Sequence, residues 1–431
     1  MSKYSSMSTY TLESELERLN MEFETVKSQS YALNMARGKP SGQQLDLSMP
    51  MLDIVNSKSD YYSEGGIDCR NYGELSGIPE AKTLMADLVD DDPDNVIVYG
   101  SSSLAIMYDT VARLWIFGAR GYTPWSQLPS VKWICPVPGY DRHFGICDTF
   151  GIEMIPVPMD ENGPVMDIVE ELCANDDSIK GIWCVPKYSN PTGITYSDEV
   201  VDRLASMKAA GDFRIFWDNA YAVHHLYDNP EDQDQLKGIA DACIAAGNPD
   251  RYYKFASTSK ITFSGAGLAV YASSPANVSE MLRRISARTI GYDKLNQLRH
   301  ARFLVNGEGI AEMMREHAAI LRPRFEAVQK ALNKGGLADC GCTWTNPRGG
   351  YFVSFDGPKG TAKRIVSLCK EAGVILTKAG ATWPHGEDPN DTNIRIAPSF
   401  PPLGELKAAM KIFVLCAHIA CVEVELAGRE Q

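Results

Sequence analysis

Leu12, Leu16, Leu19 and Phe23 recur between glutamates and lysines at the three-and-four spacing of one helix face, so Thr11 to Ser28 is expected to be a packing helix. Breakers follow at once: Ala36-Arg37-Gly38-Lys39-Pro40-Ser41-Gly42 reads as a loop. From about Pro79 to Lys260 the pattern changes to short apolar runs separated by helical stretches. Asn95 to Tyr99, Lys132 to Cys135, Glu153 to Val157, Gly181 to Val185 and Arg214 to Trp217 are expected strands; Leu104 to Phe117, Val165 to Cys173 and Asp198 to Ala210 are expected helices. Such alternation implies an α/β chain with a mainly parallel sheet covered by helices on both faces. Past Arg299 the periods lengthen. Ala301 to Lys334 reads as one long helix, Gly349 to Phe355 as a strand opened by glycines, and Glu405 to Glu425 as a closing helix. Two domains are therefore expected: residues 50–300 as a large sheet domain, and residues 1–49 with 301–431 as a smaller α+β domain hinged near Arg299.

Composition narrows the class of partner. A chain of 431 residues exceeds what one core usually holds, and 44% hydrophobic with 23% charged residues is ordinary for a globular protein. The net charge of -13 argues against nucleic acid or an anionic membrane, both of which call for clustered positive charge. A small molecule is the expected partner. The eleven cysteines include no CxxC pair and cannot all pair within the chain, which suits a reducing cytoplasm. The start, Met1 to Tyr10, is polar, with no apolar core like that of a secretory signal, and no run approaches the ~18 to 20 apolar residues of a membrane helix. A cytoplasmic location is expected.

Four motifs stand in an order that carries chemistry: Gly100-Ser101-Ser102-Ser103, Asn190-Pro191-Thr192-Gly193, Asp218-Asn219-Ala220-Tyr221 and Ser257-Thr258-Ser259-Lys260. Pyridoxal phosphate needs an amine for a Schiff base, an acid at its ring nitrogen, a donor at its ring oxygen and small donors around its phosphate. Lys260, Asp218, Tyr221 or Asn190, and the serines supply these in turn. Each has a plainer reading. A lone lysine is usually a solvated surface group, an aspartate after a strand is often a helix cap, Asn-Pro-Thr-Gly is a good turn, and any one of the serines can be an N-cap. Asp218 follows an apolar run and should stand at the carboxyl end of a strand, where open α/β sheets bind ligands. The amides between Tyr99 and Leu104 can cradle a phosphate at a helix N-terminus.

Together with Asn393-Ile394-Arg395-Ile396, these motifs resemble the class I/II aminotransferases of pyridoxal-phosphate fold type I. Ala36 to Ser41, Pro186 to Gly193 and Ser259 to Phe263 are more narrowly similar to a bacterial aspartate aminotransferase subgroup related to MocR-type aminotransferase domains. The resemblance runs from about Leu33 to Pro402. It implies a large, mainly parallel, seven-stranded-type sheet domain, a smaller α+β domain and a homodimer with shared sites. It also implies roles. Lys260 is the Schiff-base lysine and proton carrier, Asp218 pairs with the pyridinium, and Asn190 and Tyr221 bind the ring oxygen. Ser101, Ser102, Ser103, Ser257 and Ser259 surround the phosphate, with Tyr72 reaching in from a partner subunit. Tyr140 stacks on the ring, and Arg395 clasps the substrate α-carboxylate beside Gly38.

The chain departs from the family at one point: the run Gly267-Leu268-Ala269 stands where many members carry a phosphate-binding arginine. The reader of a second substrate carboxylate is open between Arg37, Lys39, Lys187 and Lys294, while Arg142 and His143 could also serve the site. His224-His225 and Cys340-Gly341-Cys342 lack the spacing of a metal site, and no metal is expected. The resemblance implies ping-pong transfer from an L-amino acid, aspartate foremost, to a 2-oxo acid such as 2-oxoglutarate. A β- or γ-elimination lyase or synthase shares the same early chemistry and is the alternative; a cofactor-sensing regulator fits less well, since only about thirty residues precede the first motif.

Overall fold

The structure, a computed structural model, describes residues 2–429. Thirteen strands occur among the described residues: β1 (Leu33–Asn34), β2 (Val96–Tyr99), β3 (Lys132–Val137), β4 (Glu153–Asp160), β5 (Gly163–Pro164), β6 (Ile179–Cys184), β7 (Arg214–Asp218), β8 (Tyr252–Ser257), β9 (Ala269–Ala272), β10 (Thr343–Trp344), β11 (Val353–Asp356), β12 (Val374–Ile375) and β13 (Asn393–Ile396). The main sheet has the order β2-β9-β8-β7-β6-β3-β4-β5. Neighbours from β8 through β7, β6 and β3 to β4 are parallel, β9 runs against both of its neighbours, and the two-residue β5 folds back on β4 as an edge hairpin. The seven longer strands are the expected α/β sheet. Strands β2, β6, β7 and β8 are buried at every position, the mark of a sheet covered on both faces.

The smaller layer packs the antiparallel β10-β11-β13 sheet among helices Thr9–Lys27, Gly307–Lys334, Ala362–Glu371 and Leu403–Ala427. Leu12, Leu19 and Phe23 enter its core with Phe355, Phe413 and Val422, so the N-terminal helix does pack on the C-terminal half of the chain. The helix Gly307–Lys334 serves two cores. Ile310 and Met314 join the cluster around β2 and β9, whereas Leu321, Phe325 and Val328 join the smaller layer.

Three expectations need correction. The stretch Ala301 to Lys334 is two helices, Lys294–Leu304 and Gly307–Lys334. Val305 takes φ +65° between them, and Asn306 caps the second helix through its side chain to the Gly309 amide at 3.1 Å. The strand expected from Gly349 begins only at Val353, because Gly349 packs against the Tyr188 ring and Gly350, at φ +81°, against the Tyr188 Cβ and carbonyl. The helix expected to reach Ala210 ends at Ser206, where Met207 turns to an extended ψ of 152°.

Candidate active site

Strands β2, β3, β6, β7 and β8 all deliver their carboxyl ends to one edge of the sheet, and one cavity of about 640 Å³ lies there. It is lined by Arg37, Gly38, Ser101, Ser102, Ser103, Tyr140, Asn190, Asp218, Tyr221, Ser259, Lys260 and Arg395, residues drawn from nearly the whole length of the chain. The small layer closes the other wall. β1 and β12 are parallel, so the loops after them, Ala36 to Pro40 and Leu376 to Lys378, reach the cavity side by side, tied by Thr377 Oγ1 donating to the Ala36 carbonyl at 3.1 Å.

Lys260 ends a short 3-10 turn directly after β8, and its Nζ sits 4.9 Å from the centre of the Tyr221 ring. Burial lowers its pKa below the ordinary 10.5, partly opposed by the negative charge of Asp218. Asp218 is the last residue of β7 and is 2% exposed. His143 Nε2 donates to its Oδ2 at 3.0 Å, while its Oδ1 is buried without a partner. An orphaned carboxylate oxygen is costly unless something fills the gap, and a protonated ring nitrogen meets that need. Aromatic packing fixes the His143 ring in place, stacked on Trp183 at 4.5 Å and edge-on to Tyr140 at 4.9 Å. Burial, then the charges of Asp218 and Asp141, push the Tyr140 phenol up to about 12, and burial raises Tyr221 as well. Both phenols therefore stay protonated as donors near neutral pH.

The helix Ser103–Phe117 points its N-terminus at the cavity, with Ser102 Oγ accepting from the Ala105 amide at 3.3 Å. Its free amides and the Ser101 and Ser103 hydroxyls form a cradle suited to an anion. Ser257 does not line the cavity; its hydroxyl bonds Ser259 Oγ at 2.7 Å and so steadies a residue that does. Ala269, in the run that lacks the family arginine, is fully buried in β9 opposite Tyr99 and does not line the cavity. Tyr72 stands outside this chain's cavity and is 82% exposed.

Arg395 projects from β13 with its Nη1 bonded to Asp141 Oδ1 at 3.1 Å and to Asn190 Oδ1 at 3.2 Å, and its guanidinium over the Phe352 ring at 4.9 Å. Its Nε is buried without a partner, leaving one edge of the fork for a carboxylate. Gly38 packs so closely that an added Cβ would lie 2.1 Å from Phe352 Cζ. Of the nominated second cations, Arg37 and Lys39 line the cavity and Lys187 and Lys294 do not. Lys294 donates to the Gly73 carbonyl at 3.1 Å behind Tyr72, and Lys187 is buried beside the Tyr188 ring. Arg142 does line the cavity, as does Lys378, which carried no sequence signal because its place depends on the two-residue β1–β12 pairing. Sequence reasoning also passed over Asp141 as the ion-pair partner of Arg395.

These residues fit pyridoxal phosphate on grounds of donor chemistry and the orphaned Asp218 oxygen. Comparison with known proteins agrees. The aspartate amino-transferase family matches residues 7–429. An aspartate aminotransferase of Corynebacterium glutamicum is 44% identical over 434 residues, covering 98% of this chain and 99% of that protein. A Mycolicibacterium smegmatis protein with a provisional aminotransferase name is 45% identical over 96% of both chains. The crystal structure of an aspartate transaminase from Corynebacterium glutamicum superposes with a TM-score of 0.94 at 44% identity, covering 99% of each chain. Lysine, buried acid, serine cradle and arginine thus meet in a fold and a sequence that point the same way, and the chain belongs to the aspartate amino-transferase family as a pyridoxal-phosphate-dependent aminotransferase of fold type I.

Proposed function

We propose that the amino donor is L-aspartate and the acceptor 2-oxoglutarate, exchanged by a ping-pong route at Lys260 in a cytoplasmic homodimer. The observation that carries the substrate choice is charge. In a chain of net charge -13, Arg37, Lys39, Arg142 and Lys378 all line the cavity, and none has a carboxylate partner within 4.0 Å among the described residues. Arg395 meets one carboxylate; a dicarboxylic substrate supplies a second for this surplus of cations. The Corynebacterium relative's name supports the same donor.

When bound, pyridoxal phosphate supplies an electron sink that makes the substrate Cα acidic. Asp218 would hold a proton at the ring nitrogen, and His143 keeps that carboxylate oriented. Tyr221 and Asn190 bind the ring oxygen, Tyr140 covers the ring, and the helix N-terminus with Ser101, Ser102, Ser103 and Ser259 holds the phosphate. Arg395 fixes the α-carboxylate beside Gly38. Lys260, whose proton burial makes easier to lose, would accept the proton from the substrate Cα and hold it at Nζ for return. Tyr72, exposed at 82%, completes the phosphate site of a second copy. Eleven free, buried thiols suit a reducing compartment.

The test is a donor screen against 2-oxoglutarate. Aspartate should give the highest kcat/KM, with alanine and other monocarboxylic donors at least about tenfold lower, the worth of one charge-assisted contact. Equal turnover of alanine and aspartate would overturn the substrate choice and leave the aminotransferase assignment intact.

A further inference from the structure

Beneath Lys260 lies a buried polar chain that no step above uses. Gln44, His317 and Tyr351 are all fully buried, and they come from three separate places: the short helix Gly42–Asp46, the long helix Gly307–Lys334 and the turn before β11. Gln44 Nε2 donates to Tyr351 Oη at 3.0 Å and lies 3.0 Å from His317 Nδ1. An amide nitrogen has only protons to give, so His317 Nδ1 must accept and the histidine must carry its proton on Nε2. That Nε2 then donates to the Ile261 carbonyl at 3.0 Å, while the Tyr351 hydroxyl, its lone pair used by Gln44, donates to the Lys260 carbonyl at 3.4 Å. At the other end Gln44 Oε1 accepts from the Ser41 amide at 3.0 Å and the Ser41 hydroxyl at 3.2 Å. Every proton in the chain has one assigned direction, from Ser41 to the backbone that carries the lysine.

We propose that Gln44, His317 and Tyr351 are positioning residues that lock the Lys260–Ile261 backbone to the N-terminal segment, so that the loop lining the substrate side and the catalytic amine hold one register. Two features make the coupling mechanical. The segment Ala36 to Pro40 lines the cavity directly ahead of Ser41, and the short turn Thr258–Lys260 bonds its Thr258 carbonyl to the Ile261 and Thr262 amides, while the Lys260 and Ile261 carbonyls accept from Tyr351 and His317. Burial keeps His317 down at about 4, so the neutral tautomer the chain requires persists across the working range. Displacing Lys260 by a fraction of an ångström slows proton transfer without altering how Arg395 binds the carboxylate.

The proposal rests on Lys260 being the amine that carries the cofactor, and the test separates the two. Gln44→Leu removes the donor to both arms; Tyr351→Phe removes one oxygen only and decides the matter should Gln44→Leu fail to fold. Each variant is loaded with pyridoxal phosphate and compared with the wild type in two readouts: hydrogen-exchange protection of the 258–262 amides, and the kinetic isotope effect on kcat with Cα-deuterated aspartate. Expected are weaker protection in that segment, kcat about tenfold lower for Gln44→Leu with KM little changed, and a larger isotope effect. A structural role alone lowers the active fraction and leaves the isotope effect where it was. Unchanged protection and an unchanged isotope effect would overturn the positioning role; a wild type that shows no lysine-bound cofactor band would instead remove the reading beneath it.

Discussion

Lys260 and Asp218 make opposite demands on their surroundings, and the cavity meets both with one arrangement. In the proposed function the lysine has to be neutral to attack and to carry protons, and the aspartate has to present an oxygen to the ring nitrogen. Burial acts on the first, lowering its pKa, and a donated hydrogen bond from His143 orients the second. The sign follows directly. Below its lowered pKa the amine is protonated and inert, above it the amine is free, so capture of pyridoxal phosphate by the cofactor-free protein should speed up as pH rises and level off below 10.5. Stopped-flow absorbance measures this, and a midpoint at or above 10.5 would show that the burial has no effect on the amine. Asp218→Asn, nearly identical in shape, should still bind the cofactor but transaminate about 10²-fold or more slowly, because an amide cannot hold a proton at the ring nitrogen. His143→Ala should fall between that variant and wild type.

Elements bring these residues together through strand ends and tight loop packing. Gly38 illustrates the second: with Phe352 Cζ where its Cβ would be, Gly38→Ala must push the Arg37 loop or the ring under Arg395. We expect a loss of about 1–3 kcal/mol in denaturant titration, together with a raised KM for the donor. Asn306→Ala, by contrast, unties only the cap between two helices and should cost about 1 kcal/mol with kinetics unchanged. Much at this scale was legible in the sequence. Apolar runs before Ser101, Asn190 and Asp218 marked strands whose carboxyl ends carry chemistry, and the residues after them do line the cavity. What escaped has a physical reason. Lys378 and Asp141 owe their places to a two-residue parallel pairing and to a contact with Arg395, 254 positions away, neither of which leaves a periodic trace. The break at Val305 escaped because apolar spacing continues across it, and only the Asn306 side chain and nearby glycines record the interruption. Ser257 matched its motif yet turns to Ser259, a choice set by one hydroxyl pair.

At the scale of the whole molecule, the cavity lies between two layers that have separate cores, with Arg395 and the Gly38 loop on one side and Lys260 on the other. Two copies add a further layer of dependence if Tyr72 serves the neighbouring site. Complementation tests this. Lys260→Ala and Tyr72→Ala chains, each weak alone, should on mixing form hybrids with one intact site and recover about a quarter of wild-type activity. No recovery after confirmed subunit exchange would confine the whole site to one chain. The central claim, that Lys260 holds pyridoxal phosphate and passes aspartate's amino group through it, is tested most directly by the absorbance of the purified protein across roughly 300–500 nm. A yellow band is expected that shifts to shorter wavelength on adding aspartate, returns on adding 2-oxoglutarate, and is missing in Lys260→Ala. A wild-type protein that gains no yellow band when pyridoxal phosphate is supplied would contradict the account, and a band that aspartate leaves unmoved would contradict its choice of substrate.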